Sequence, residues 1–192
     1  MGLRRSLKVA NGLANSNFSK GATDWSAWKS TISAINNTLS VTCDGTVNYG
    51  QAIKNSTIPC VTGKKIYVSF RGRPTNSVCA TMRTLIAGST GGSNISMTAI
   101  NNPTQNTQYL VSAVTTLTDQ TGVVQVKPNQ TYADATTANG KVMEVQEAMA
   151  IDISTLPSET QAMSDADIKA FCDTIPWFDG TANGGSMSKS LC

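Results

Sequence analysis

The stretch KKIYVSFRGR (64–73) sets Ile66, Val68 and Phe70 on one side of an extended chain and Lys65, Tyr67, Ser69 and Arg71 on the other. Side chains alternate with a period of two along a strand, so such a segment buries one face and wets the other. The same alternation runs through TLSVTC (38–43), and CATMRTLIAG (79–88) places Met82 and Leu85 near a strand that ends at Gly88. QYLVSAVTTL (108–117) and TGVVQVKP (121–128) are β-branched and bounded by turn residues, and KVMEVQEAMAIDI (141–153) closes the series. Punctuated by Gly, Asn and Pro, the pattern predicts about seven to nine short strands and an all-β antiparallel β-sandwich, or jelly roll.

One segment departs from that period. In SDADIKAFCDTIPWFDG (164–180), Ser164 is placed as an N-cap, with Asp165 and Asp167 in the first turn, where the helix dipole favours anions. Ala166, Ile168, Phe171 and Cys172 form its apolar stripe and Pro176 ends it. The expectation is one short C-terminal helix, packed outside the sandwich or against a neighbouring subunit. The chain then divides into an N-terminal basic arm (1–10), the sandwich (11–155), a short acidic helical appendage (156–180) and a flexible tail (181–192).

Composition sharpens this reading. Only 14% of the 192 residues are charged, against about a quarter in average domains. Thr, Ser and Asn replace the charges, as on extracellular or virion surfaces. Residues 1–150 carry 13 Lys and Arg against 6 Asp and Glu, whereas 151–192 carry 2 against 6. Arg4, Arg5 and Lys8 fall in the arm, where they are candidates for anchoring it to an acidic neighbour during assembly. Basic residues are not interleaved with aromatics in any nucleic-acid motif, and no window reaches the length of a membrane span, so neither partner is expected.

The chemistry on offer is limited. The chain has no His, which excludes Ser–His and Cys–His nucleophile pairs. The five cysteines, Cys43, Cys60, Cys79, Cys172 and Cys192, are odd in number and never in C-x-x-C spacing, so neither a disulfide framework nor a zinc site is predicted. Paired carboxylates for glycoside hydrolysis would come from Asp24, Asp44, Asp119, Asp134, Glu144, Glu147 or Asp152. Glu144 and Glu147 are three apart and face opposite sides of a regular strand, which suits solvation or a strand-face ion pair better. GSTGGS (88–93) has no P-loop Lys and reads as a hairpin loop. The expectation is a protein that is not an enzyme.

The order of NSNFSKGATDWSA, GKKIYVSFRGRPTNS, NNPTQNTQY, YADATTANGKVMEVQEAMAIDIS and IPWFDGT resembles the jelly-roll modules in tail and other structural proteins of phages and prophages of Gram-positive hosts. These are similar in turn to carbohydrate-binding modules of the galactose-binding-like type. The resemblance spans roughly 11–182. It implies a virion structural protein, located on the phage particle as a tail, fibre or decoration component, with other virion proteins as partners, a homo-oligomeric state and contact with host cell-wall carbohydrate. The alternative is a secreted or surface carbohydrate-binding or adhesion module.

The resemblance also assigns residues. It makes Trp25 structural, packing the opening segment onto the sandwich, and leaves Trp28 divided between core edge and exposed binding aromatic. Glycan contacts are expected among Trp28, Tyr49, Tyr67, Tyr109, Tyr132, Arg71 and Arg73, because sugars need aromatic faces and nearby hydrogen-bonding groups. Related modules hold a structural calcium, for which Asp152 matches one ligand; Ser19 stands where a second, acidic ligand belongs.

Overall fold

The computed structural model describes residues 6–97, 99–179 and 185–190, with side chains from residue 9 to residue 179. Among the described residues thirteen strands form: β1 (Ser6–Asn11), β2 (Trp25–Trp28), β3 (Ser30–Ile35), β4 (Thr38–Cys43), β5 (Tyr49–Pro59), β6 (Lys65–Pro74), β7 (Thr81–Gly88), β8 (Ile95–Ser96), β9 (Ile100–Asn101), β10 (Tyr109–Thr116), β11 (Val123–Thr131), β12 (Val142–Asp152) and β13 (Gly185–Ser190). They make a five-stranded sheet, β10-β6-β12-β4-β3, and a six-stranded sheet, β2-β5-β11-β7-β8 with β9 also on β7. A two-stranded ribbon joins β1 to β13. All strand pairs are antiparallel, as a jelly roll requires.

The main core lies between the sheets. Leu39 and Val41 of β4, Ile66, Val68 and Phe70 of β6, and Met143 and Val145 of β12 meet Ala52 of β5, Met82 and Ile86 of β7, and Val124 and Val126 of β11. The apolar half of KKIYVSFRGR thus faces inward, as its period predicts. Its other half is not wholly wet. Tyr67, Met149 and Ile151, on the outer face of the five-stranded sheet, join a second cluster with Leu156, Ile168, Cys172 and Ile175.

That cluster is the seat of the C-terminal segment. Short helices α1 (Ala135–Ala138) and α2 (Ser158–Gln161) precede α3 (Asp165–Asp173), which Ser164 caps by accepting from the Asp167 N–H. Ile168 and Cys172 are buried, whereas Ala166 is exposed, so the predicted stripe is narrower than expected. Tyr67 Oη donates to Asp173 Oδ1 at 2.8 Å, and Lys65 Nζ pairs with Asp165 at 2.7 Å. Helix α3 therefore packs on the outside of the sandwich.

Two boundaries change. Residues 6–10, expected as an arm, are strand, and residues 185–190 of the expected flexible tail pair with them: Lys8 lies opposite Ser188 and Val9 opposite Met187. The side chain of Lys8, and all of Arg4 and Arg5, lie outside the described residues.

Strand β12 carries a bulge. Its register against β6 shifts between Gln146 and Met149, and Glu147 adopts φ 52°. The extra residue reverses the alternation, so Met143 and Val145 face inward before it and Ala148 and Ala150 after it. Glu144 and Glu147 consequently both face outward, correcting the expectation from a regular strand. Each meets an arginine of β6: Arg73 Nε donates to Glu144 at 2.7 Å and Arg71 Nε to Glu147 at 2.6 Å.

The two ends of the quoted motifs meet. Asp179 of IPWFDGT accepts from the Ser16 N–H at 2.7 Å and from Ser16 Oγ at 3.0 Å, and Asn11 Nδ2 donates to the Phe178 carbonyl at 2.9 Å. Opening and closing segments are thus one hydrogen-bonded unit at the sandwich edge.

Candidate functional site

Strand β2 presents its two tryptophans to opposite sides of the sheet. Trp25 is 7% exposed; its ring lies 5.2 Å from that of Phe18, and its Nε1 donates to the Asn15 carbonyl. Trp28, three residues on and 54% exposed, stands on the outer face. An odd spacing along an extended chain dictates this division.

From Trp28 the register lays out a row. Trp28 of β2 lies opposite Gln51 of β5, Gln51 opposite Asn129 of β11, and Asn129 opposite Arg83 of β7. Asn129 Nδ2 donates to Gln51 Oε1 at 3.4 Å, Arg83 Nε to Asn129 Oδ1 at 3.2 Å, and Arg83 Nη1 to Ser96 Oγ at 3.2 Å. Tyr49 accepts from Trp28 Nε1 at 3.4 Å, and Lys29 Nζ lies 5.6 Å from the centre of the Trp28 ring. Trp28, Tyr49, Gln51, Arg83 and Asn129, with Ile53, Leu85, Asn94 and Lys127, line a groove of about 350 Å³. Lys127 Nζ donates to Asn94 Oδ1 at 3.1 Å, and burial holds its ammonium below the usual lysine range.

This arrangement combines an aromatic wall with a floor of amides and a guanidinium. An indole or phenol ring accepts the C–H face of a pyranose, while amides offer donors and acceptors side by side for vicinal hydroxyls. Gln51 and Asn129 are buried, so their orientation is fixed by neighbours before any ligand arrives.

The outer face of the five-stranded sheet is polar too, but differently finished. A groove of about 540 Å³ is lined by Thr38, Ser40, Arg73, Gln108, Glu144 and Gln146 among others. Gln108 Nε2 donates to Gln146 Oε1, and Gln146 Nε2 to Thr38 Oγ1, both at 2.7 Å. Arg73 is paired with Glu144 there, and no aromatic side chain lines the groove.

The expected glycan contacts therefore separate. Trp28 and Tyr49 come together in the six-stranded groove. Tyr67 is 1% exposed because α3 covers its face of β6, and Tyr132 is 3% exposed, donating to Gln130 Oε1 inside the sandwich. Neither can stack on a ligand. Tyr109 is half-buried, with its hydroxyl accepting from the Thr104 N–H; Arg71 and Arg73 sit on the opposite sheet, each paired with a glutamate. Sequence reasoning missed Gln51, Arg83, Asn94, Lys127 and Asn129. The alternation of Val124, Gln125, Val126 and Lys127 is the signal that could have found an outward-facing Lys127, but nothing in sequence sets it beside β5.

The carboxylates weighed for catalysis are each engaged. Asp24 lies 3.8 Å from Lys54, Asp44 accepts from Thr46, Asp119 from Ser93, Asp134 caps α1, and Glu144, Glu147 and Asp152 pair with Arg73, Arg71 and Lys64. Asp152 also accepts from the N–H and hydroxyl of Ser154; burial pushes its carboxyl up, but the Lys64 ammonium and then the Ser154 bonds outweigh this and hold it below the usual range. A lysine ammonium on Asp152 and a nonacidic Ser19 do not fit a calcium there, and among the described residues no three His, Cys, Asp or Glu side chains gather. Among the described residues, no helix is long and apolar enough to cross a membrane.

No family model matches the chain, and no curated protein does. Solved structures do. An arabinose-bound GH51 α-L-arabinofuranosidase aligns with TM-score 0.60 at 13% identity over 78% of this chain, which spans only 28% of that enzyme. A family 4 carbohydrate-binding module aligns with TM-score 0.53 at 12% identity, over 69% of this chain and 97% of the module. The enzymatically active domain of a tailspike protein from bacteriophage CBA120 aligns with TM-score 0.51 at 12% identity, over 73% of this chain and 21% of that one. At these identities the likeness is one of fold: the chain is a jelly-roll β-sandwich of the kind used by carbohydrate-binding modules.

Proposed function

We propose that this protein is a non-enzymatic glycan-binding sandwich that serves as a structural component of a phage particle and contacts carbohydrate on the host cell surface. The observation that carries the glycan reading is the row Trp28–Gln51–Asn129–Arg83, which joins an exposed aromatic face to fixed amides on one sheet. The fold shared with a family 4 carbohydrate-binding module supports it. Support for the virion setting is the ordered set of motifs from NSNFSKGATDW to IPWFDGT, whose two ends are bonded through Ser16 and Asp179. Other virion proteins, and further copies of this chain, are the assembly partners in this reading; no cofactor takes part.

The test is binding of the purified protein to host cell walls and to a glycan array, with Trp28→Ala and Tyr49→Ala beside wild type. Both variants are expected to keep the wild-type circular dichroism spectrum and lose retention on the glycan. Wild-type retention by both would remove the groove from the function. Mass spectrometry of purified particles tests the virion setting separately.

A further inference from the structure

We infer that the groove beside Trp28 selects a saccharide bearing an anionic group, a carboxylate or a phosphate ester, held between Arg83 and Lys127. The inference rests on reading that groove as the glycan site and goes on to its specificity. The argument is one of charge compensation. The nine residues lining the groove include two cations, Arg83 and Lys127, and no Asp or Glu. Arg83 is held by Asn129 and Ser96 and Lys127 by Asn94, all neutral acceptors. Such bonds fix the position of a cation without cancelling its charge. Among the described residues, neither side chain lies within ion-pair distance of a carboxylate.

The opposite sheet supplies the comparison within the same chain. There Arg71 and Arg73 each meet a glutamate, and the face is locally neutral. The fold thus has carboxylates available for strand-face arginines and places none in the Trp28 groove. Lys127 is partly desolvated already, so a ligand anion that replaces lost solvation gains more there than at an open surface. Arg83 uses Nε and Nη1 on protein acceptors, leaving the second terminal nitrogen to the ligand. A planar guanidinium suits both carboxylate and phosphate.

The experiment titrates the 192-residue chain with four probes by calorimetry: oligogalacturonate, glycerol-phosphate teichoic acid, neutral β-1,4-galactan oligosaccharide and oligo-dT. At least one anionic saccharide is expected to bind about tenfold more tightly than the galactan, since a hydrogen bond to a charged group is worth more than a neutral one. The probe that shows the advantage separates carboxylate from phosphate recognition. The advantage should shrink as salt rises to about 0.5 M. It should vanish in Arg83→Gln and Lys127→Gln, be partly kept in Arg83→Lys, and stay in Arg71→Gln on the other sheet. Equal affinity for galactan and both anionic saccharides, still dependent on Trp28, would overturn the inference and leave the glycan reading standing. Oligo-dT binding as tightly as the anionic saccharides would also overturn it, as charge attraction without sugar recognition. Failure of every saccharide would sink both readings together.

Discussion

Truncating the two tryptophans of β2 in turn separates the structural from the binding role of one four-residue strand. A Trp side chain buries about 150–250 Å². At ~25 cal/mol per Å² that is about 4–6 kcal/mol, an upper bound because denatured chains already hide part of their apolar surface. Trp25 is 7% exposed, so nearly all of this applies, and Trp25→Ala also removes the indole N–H bond to the Asn15 carbonyl, worth about 1 kcal/mol. Partial collapse of Phe18 into the space offsets some of the loss. We expect Trp25→Ala to destabilise by about 4 kcal/mol, within the range for buried aromatic truncations. Trp28 is 54% exposed and loses contact with Tyr49 and Lys29; its truncation should cost at most about 1 kcal/mol. Urea melts followed by far-UV circular dichroism measure both without relying on the fluorophore removed. A Trp25→Ala midpoint equivalent to less than about 1 kcal/mol below wild type, at unchanged m-value, would refute the claim that this ring closes the core.

Stability should fall in acid partly through Asp152. Its folded pKa is depressed, so its contribution is present above the unfolded value near pH 3.9 and is lost as pH falls through the folded value; Asp152→Asn should flatten that part of the pH–stability curve and, by stranding Lys64 in a largely buried pair, cost about 3 kcal/mol at pH 7. Lys54, buried at 4% exposure with its ammonium pushed below the usual range by burial, has the opposite sign: its penalty eases as pH rises toward the unfolded lysine value, so Lys54→Met should be neutral or stabilising at pH 7 and show less gain than wild type between pH 7 and 10 in parallel melts. Cys43, Cys79 and Cys172 are buried free thiols, pushed up to about 12, about 11 and about 12 mainly by burial, so a thiol reagent should modify them only on unfolding and the melting temperature should not change with reductant. Gly88→Ala should destabilise by about 2 kcal/mol or more in urea melts, because a Cβ there meets the Gly91 and Thr121 carbonyl oxygens at 2.3 Å, and backbone cannot move aside as a side chain can.

Strands with one apolar face were legible. TLSVTC and KIYVSFRGRP fold where their period placed them because each buries three apolar side chains against the opposite sheet, Leu39, Val41 and Cys43 in one and Ile66, Val68 and Phe70 in the other. Strand β5 was not legible for the converse reason. Its inward positions are Gly50, Ala52, Lys54, Ser56 and Ile58, a face nearly without apolar contrast, and its strand identity comes from pairing with β2 and β11 on either side. Gly50 is required by proximity, since a Cβ there would meet Cys43 Sγ at 2.7 Å. The β12 bulge was hidden too, because Glu147 at φ 52° carries no local signal such as Gly or Asn. The shift of one residue decided the outward direction of both glutamates.

The groove depends on the unread strand. Trp28 and Tyr49 could be named from sequence as aromatics in polar stretches, but the residues that turn them into a site are brought in by register alone. Gln51 reaches Asn129 only through the β5–β11 pairing, and Asn129 reaches Arg83 only through the β11–β7 pairing. Register also explains why Arg71 and Arg73, named among the expected glycan contacts, meet protein partners instead. Arg71 and Arg73 alternate outward on β6 as expected, yet antiparallel pairing with β12 sets Glu144 opposite Arg73 and Gln146 opposite Arg71. The bulge then turns the next residue, Glu147, outward onto Arg71, so both arginines are spent on protein partners. Arg83 is paired instead with β11, whose outward residues are Gln125, Lys127 and Asn129, and it keeps its charge. Whether an arginine on a sheet face binds a ligand or a neighbour is thus decided by the strand beside it, and moving a carboxylate across supplies the check. Asn129→Asp should give Arg83 an acidic partner at the distance Asn129 now holds, 3.2 Å, and bring the groove toward the neutrality of the opposite face. Anionic-saccharide binding should then fall about tenfold while the fold stays intact, because amide and carboxylate are nearly equal in volume. Undiminished binding of the anionic probe by Asn129→Asp would mean that the charge of Arg83 does not take part.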